Sequence, residues 1–426
     1  MLSGLSICRI YIGMISGSVS LMCSENERSL VRATTVSQCP IVEDPQIELV
    51  SYAKRYMDIA RLIRLRFIAQ VCPKLRMEAL ELAIIHVKKT YNVKMYEELY
   101  RTLCTERERS MSVAEAQAEA VDEASSSSGS ASGQAGKAKR ESGEAHKYDA
   151  YWVEDNTMEA TLLLQELDAE LNFKKSNSGS AYVRRVLEEI GDYHVKSGNL
   201  QMAVKFYART RPYCTSSDNV IEMFRNLIRV SIFMANWWHV LSYIDEAKQY
   251  ALGYPNLARS VPAQLSCAAG LANMSLKIYK TAAHCFLLTP YDQYDYNKIV
   301  APQDVAIYAG LCGLATLEPE MLRLGCFNSE KFKPFFAQSP IMWDILAKFF
   351  NNQFDHCERL LHELESRVRL DIYVAPHVDA LYSKIQAHIQ DRRHTYVAPS
   401  TESSATSLLE TRVTQKETSI YFKDDL

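Results

Sequence analysis

The chain has 426 residues, of which 47% are hydrophobic and 23% charged, with a formal net charge of −3. That length suffices for two or three domains, and the near balance of charge gives no global attraction to nucleic acid or to an anionic membrane surface. Eleven cysteines are scattered, odd in number and without a C-x-x-C pair, so they read as reduced thiols of a cytoplasmic and nuclear protein rather than a disulfide framework or a zinc knuckle.

Residues 1–45 read as a flexible N-terminus. Its apolar run from Ile10 to Ile15 is short and broken by glycine and serine, unlike a secretion signal. No run in the chain approaches the ~20 apolar residues that a membrane span requires. A helical unit is expected over 46–108. Ile59, Leu62, Ile63, Phe67, Ile68 and Val71 repeat at three and four, Pro73 resets the chain, and two further helices follow, the last over 93–103. Residues 109–147, with four consecutive serines and the basic run Lys137-Ala138-Lys139-Arg140, lack apolar anchors and read as a disordered insert. One long helix is expected from Tyr148, carrying Trp152, Leu162, Leu163, Leu164, Leu167, Leu171 and Phe173.

The stretch 186–288 carries the clearest organisation. Gly198 at a turn, Leu200 after it, the small Ala203 where two helices cross and the aromatic Tyr207 beyond form a tetratricopeptide-like arrangement. The same grammar returns with Trp238 and Leu241, and again with Tyr279, Ala282 and Phe286; looser echoes fall at Leu322 and at Cys357 with Leu361. A spacing of about 40 residues is one helical hairpin, which buries its apolar face only by stacking on neighbours. The expected fold is all-α: a right-handed helical-repeat solenoid. A repeat arm is placed over 148–300, a further helical part over 301–390, and a disordered polar tail over 391–426.

No phosphate-binding loop, dinucleotide fingerprint, nucleophile elbow, H-E-x-x-H or H-x-H occurs, so neither catalytic residue, cofactor site nor metal site is expected. His356 and His362, six apart on one helix, lean to opposite faces and read as surface histidines. Cys214 lacks an identifiable base and reads as a packed thiol. Interface candidates are Arg61 and Arg64 as a basic patch on the first helical unit, Arg209 and Arg211 as another, and Trp237. In the competing reading of the tryptophan pair, Trp238 fills the bulky repeat slot and Trp237 sits half exposed beside it.

Several ordered stretches resemble the subunit-one family of the COP-nine signalosome. They include Arg209-Thr210-Arg211-Pro212-Tyr213-Cys214, Asn236-Trp237-Trp238-His239-Val240-Leu241 and Tyr308-Ala309-Gly310-Leu311-Cys312-Gly313, with Leu370-Asp371-Ile372-Tyr373-Val374-Ala375-Pro376-His377 and Cys72-Pro73-Lys74-Leu75. The resemblance spans roughly 45–390; a paralogous scaffold of the proteasome regulatory lid is the alternative. It implies a non-catalytic scaffold with a helical-repeat arm leading into a PCI domain, and it adds Tyr373 and His377 to the interface candidates. Implied partners are other PCI-domain subunits and a metalloprotease subunit, with cullin-RING ligases as substrate in removal of a ubiquitin-like modifier; neither nucleic acid nor membrane is expected. After Gln390 the wording departs from the family. The winged helix that closes a PCI domain is read as missing, which would leave Ile385 and Ile389 uncovered.

Overall fold

The structure is a computed structural model and describes residues 39–125, 147–292 and 298–395. Among these residues the chain forms helices and no strand. The N-terminal unit holds α1 (Leu49–Lys54), α2 (Asp58–Val71), α3 (Arg76–Val87) and α4 (Val93–Ser125). A long α5 (Ala150–Asn177) leads to the hairpins α6 (Ser180–Lys196) and α7 (Leu200–Arg209), α8 (Ser217–Phe233) and α9 (Trp237–Leu252), and α10 (Pro255–Ser275) and α11 (Tyr279–Leu287). The C-terminal part contains α12 (Pro302–Thr316), the short α13 (Pro319–Arg323) and α14 (Lys333–Ala337), then α15 (Pro340–Phe350), α16 (Phe354–Val368) and α17 (Val378–Thr395). From α5 to α12 each helix packs on the next in chain order, the arrangement of a stacked hairpin array.

One backbone device builds the hairpins. A helix ends in a single left-handed residue, and the chain reverses directly into the next helix. The left-handed residues are Gly198 (φ 79°), Ala235 (φ 55°), Lys277 (φ 63°) and Asn352 (φ 55°). After each, the next residue's N–H reaches five residues back: Asn199 to the His194 carbonyl at 2.8 Å, Asn236 to Ser231 at 2.9 Å, Ile278 to Asn273 at 2.8 Å and Gln353 to Lys348 at 2.9 Å. That bond satisfies carbonyls the helix end would otherwise orphan. Asn199 and Asn236 then cap the following helix through their side chains, accepting from Met202 and His239.

The turns fix a common register. Four residues past the cap stand Ala203, Val240, Ala282 and Cys357, all fully buried; four further on stand Tyr207, Ile244, Phe286 and Leu361. Gly198 stands at the first of these turns, Ala203, Tyr207, Tyr279, Ala282 and Phe286 are buried, and Leu200 is half-buried. The second copy is displaced by one residue. Val240, not Leu241, lies at the crossing, and Leu241 is only half-buried. Trp238 does not fill a repeat slot: it is 69% exposed, while Trp237, three residues before Val240, turns toward the core. The adjacent tryptophans fit either register in sequence, and the turn at Ala235 decides between them. Leu322 is buried in α13, but no left-handed turn precedes it; a π-turn over Leu324–Asn328 follows instead.

Because only glycine adopts this conformation freely, Ala235→Gly and Lys277→Gly are each expected to raise stability by up to about 1 kcal/mol, read as a higher urea midpoint. Gly198→Ala moves the other way. It meets the same strain, and its methyl group would stand 2.3 Å from the Asn92 amide of the N-terminal unit.

Two boundaries differ from the sequence reading. The helix begun at Val93 continues to Ser125, into a stretch rich in alanine and glutamate, which favour helix without needing an apolar face. The remainder of the expected insert (126–146) lies outside the described residues, as do 1–38 and 396–426. The last helix runs to Thr395. Arg392 stacks 4.7 Å from the Phe349 ring centroid and donates to Asn352 at 2.9 Å, and Arg393 pairs with Asp355 at 2.7 Å and with Glu358 at 3.0 Å. Residues 391–394 thus belong to the packed body. Ile385 and Ile389 are fully buried in α17, which packs on α12, and are not uncovered.

Candidate functional site

At the centre of the C-terminal part lies α12, in which every residue from Asp304 to Ala315 is buried. A helix covered all round needs neighbours on every side. Here they are α11, α14, α15, α17 and, across a gap of about 240 residues in sequence, the N-terminal unit.

That last contact is made by Arg64 of α2. Its side chain is 1% exposed. Nη1 donates to the Asp371 carboxylate at 2.6 Å and to the Tyr52 hydroxyl at 3.1 Å, and Nη2 donates to the Tyr308 hydroxyl at 3.5 Å and lies 3.5 Å from Asp304. The guanidinium sits 4.0 Å over the Tyr56 ring and 5.1 Å from that of Tyr373. Tyr56 donates to Asp304 at 2.6 Å and Tyr308 to Asp371 at 2.8 Å. Asp371 also accepts from the backbone N–H of Tyr373 at 2.9 Å, shaping the turn that leads to α17.

Burial opposes charge on all of these groups, and the partners decide which keep it. For Arg64 the loss of water is outweighed by Asp371 and the surrounding tyrosines, which hold the guanidinium above its ordinary range. Burial raises the Asp304 carboxyl, with Arg64 acting against the shift. It raises Tyr52, Tyr56 and Tyr308 as well, keeping them neutral hydroxyl donors at physiological pH. The cluster is a clasp made of one cation, two carboxylates and a ring of phenols.

The repeat arm joins the same turn. Trp237 meets Tyr373 edge-on at 6.2 Å, and the Tyr279 hydroxyl lies 3.2 Å from Nδ1 of the buried His377. Neutral His377 shares a hydrogen bond with that hydroxyl, its direction set by the imidazole tautomer. Desolvation, reinforced by Lys277, lowers its pKa from the ordinary 6.5 to about 4. A base held neutral in the fold is protonated more readily once unfolded. The stability it supports is therefore fully present above pH 6.5 and is lost as pH falls from 6.5 toward 4. His377→Phe is expected to flatten the decline in thermal midpoint between pH 6.5 and 5 relative to wild type, a window above the range where most carboxylates titrate.

This geometry corrects most of the interface candidates. Arg64, Tyr373 and His377 are interior, and Trp237 is half-buried against Tyr373. Arg61 is also absorbed: Nε donates to the carbonyls of Ala53 at 2.9 Å and Tyr56 at 2.8 Å, closing the bend between α1 and α2. The reason is shared. Except for Arg61, whose carbonyl partners are local, each of these groups faces a segment about a hundred or more residues away whose approach sets its burial. Arg209 and Arg211 remain exposed, their guanidiniums 5.1 Å from Phe206 and 5.4 Å from Phe224. His362 is exposed beside Glu365, and the Cys214 thiol donates a hydrogen bond to the Thr210 carbonyl at 3.4 Å, with its pKa raised by burial rather than activated. No group of three metal-ligating side chains occurs among the described residues.

The packing residues that sequence reading missed are glycines. A methyl group on Gly191 would stand 2.6 Å from the Tyr207 ring, one on Gly270 2.6 Å from Phe286 and one on Gly310 2.6 Å from Met342. Each sits inside a helix, where glycine costs about 1 kcal/mol relative to alanine, and that unfavourable placement was the available signal.

Comparison with known proteins agrees with this architecture. The family model described as 26S proteasome subunit RPN7 matches residues 149–324, from the start of α5 to the end of α13. The chain is 38% identical over 365 residues to COP9 signalosome complex subunit 1b of Drosophila melanogaster, covering 81% of this chain and 69% of that one. It is 30% identical over 375 residues to COP9 signalosome complex subunit 1 of Arabidopsis thaliana, covering 87% and 75%. With the 26S proteasome non-ATPase regulatory subunit 6 of Dictyostelium discoideum identity is 20% over 237 residues, 53% of this chain. The signalosome relatives thus match a larger share of the chain, and at higher identity, than the proteasomal one. The chain belongs to the COP9 signalosome subunit 1 family.

Proposed function

We propose that this chain is a non-catalytic scaffold of a COP9 signalosome. It binds other PCI-domain subunits and a metalloprotease subunit, and it positions cullin-RING ligases for removal of their ubiquitin-like modifier by chemistry housed elsewhere in the complex. The observation that carries this reading is similarity to signalosome subunit 1 over more than four-fifths of the chain. The way the chain uses its charged groups supports it further. The buried ones are engaged in holding the helical units together, and a stacked hairpin array offers extended surface for partners. Function in both cytoplasm and nucleus belongs to the same proposal.

The test is a reconstitution. Signalosome subunits lacking this one are assayed for release of the modifier from a modified cullin, before and after adding the purified chain. Restored cleavage, with none by the chain alone, supports the proposal. Cleavage by the chain alone, or no effect of adding it, contradicts it.

A further inference from the structure

Helix α5 has two apolar faces, and the fold covers one. Trp152, Ala160, Leu167 and Leu171 point inward. The first half of the helix packs on the N-terminal unit through Trp152 and Tyr96 (4.8 Å), and the second half joins a separate small core with Val183, Leu187 and Phe206. At about 100° per residue, Tyr151, Met158, Leu162 and Phe173 fall within roughly 60° of one another on the opposite side. They are 79%, 65%, 54% and 61% exposed. Scattered single apolar residues are ordinary on a surface, but four aligned along about 33 Å of one helix form a continuous stripe.

The acidic charge around the stripe is heavier on one side. Asp155, Glu159 and Glu166 line one edge, all exposed and in no ion pair with another described residue, while the other edge carries Thr161, Gln165 and Asn172 with a single exposed carboxylate, Glu154. Between Tyr148 and Phe173 there are seven acidic residues and no lysine or arginine. We infer that this face of α5 docks an amphipathic helix of another polypeptide, with an apolar stripe bordered on one side by lysine or arginine. Helix-on-helix burial along i, i+4 and i+7 anchors supplies the attraction, and the acidic rail selects partner and direction. A second copy of this chain is disfavoured by the same rail, since pairing α5 with itself sets acid against acid. An anionic lipid surface is disfavoured for the same reason. The inference stands on α5 and does not depend on which complex the chain enters.

The probe is a synthetic 22-residue helical peptide with leucines at stripe spacing and lysines along one flank. It is titrated into the full chain by fluorescence anisotropy beside a peptide with glutamate in place of lysine. The basic peptide is expected to bind saturably and at least about tenfold more tightly than the acidic one, with affinity falling as salt rises. Met158→Gln with Leu162→Gln should weaken it at least about tenfold while leaving the thermal midpoint unchanged, because both side chains are exposed. Glu159→Lys with Glu166→Lys should reverse the preference between peptides. Equal affinity for the two peptides, binding indifferent to the glutamine pair, or concentration-dependent dimerisation that the glutamine pair abolishes would each overturn the inference.

Discussion

Arg64→Met is expected to destabilise the protein by about 3–5 kcal/mol, the cost of stranding a buried partner when one half of a desolvated ion pair is removed. Two carboxylates, Asp371 and Asp304, would be left without their cation, together with the Tyr52 and Tyr308 hydroxyls that it bonds. The accounting also sets the rescue. Asp371→Asn in the same chain removes one uncompensated charge and keeps an oxygen to accept from the Tyr373 N–H and the Tyr308 hydroxyl, so the double variant should cost less than the two single costs added. Burial already raises the Asp304 carboxyl against the pull of Arg64, and loss of that cation favours its protonation further, so the penalty of Arg64→Met should shrink as pH falls from 7 toward 5. The damage should also be local. Hydrogen exchange is expected to quicken in α2 and in the turn around Asp371, and to stay nearly unchanged in α7 and α8, which supply no partner to Arg64. A uniform rise across the chain, or a loss under about 1 kcal/mol, would show that the clasp does not hold the N-terminal unit in place.

Gly270→Val is the second large effect. Its Cβ alone would lie 2.6 Å from two atoms of the Phe286 ring, and the added methyls press further into a crossing that has no slack. Overpacking of this kind costs roughly 1–3 kcal/mol and sometimes more. A planar ring buried on all sides has nowhere to turn, so the upper end is expected here. Phe286→Leu should recover part of the loss in Gly270→Val although it destabilises the wild type, a reversal that identifies the ring as the obstacle. Denaturant midpoints of the four proteins decide it; strictly additive costs would place the clash elsewhere.

These two sites mark what could be read from the sequence and what could not. The aromatic Phe286 and the small Ala282 stand out in sequence because they recur at the hairpin spacing and their roles are local. Gly270 carries the same crossing from the other helix, and its role depends on where Phe286 arrives. The all-helical fold and the order of the hairpins were legible for the same reason: periodicity of three and four, and turns that repeat. Trp237 and Trp238 show the limit of that legibility. A one-residue shift in the reading of the second copy exchanges the buried and the exposed ring.

Arg64, Asp371, Tyr373 and His377 were visible as conspicuous residues but not as neighbours. Charge in a helix reads as solvated surface unless its partner is known, and here the partner lies 307 positions away. The quantity that sequence patterns lack is the closure of the chain on itself, which brings α2 against α12 and the Asp371 turn. The same closure explains why the last helix keeps Ile385 and Ile389 covered. The missed face of α5 is the converse case. Its leucines and aromatics read as core, yet one side of the helix has no neighbour within the described chain.

The most direct measurement is purification of the tagged 426-residue chain from cells, followed by native mass spectrometry of what accompanies it. The account predicts one copy of this chain in a particle with the other signalosome subunits, and loss of that particle for Arg64→Met under conditions where part of the variant stays soluble. Recovery of proteasome lid subunits instead, or of the chain alone, would contradict it.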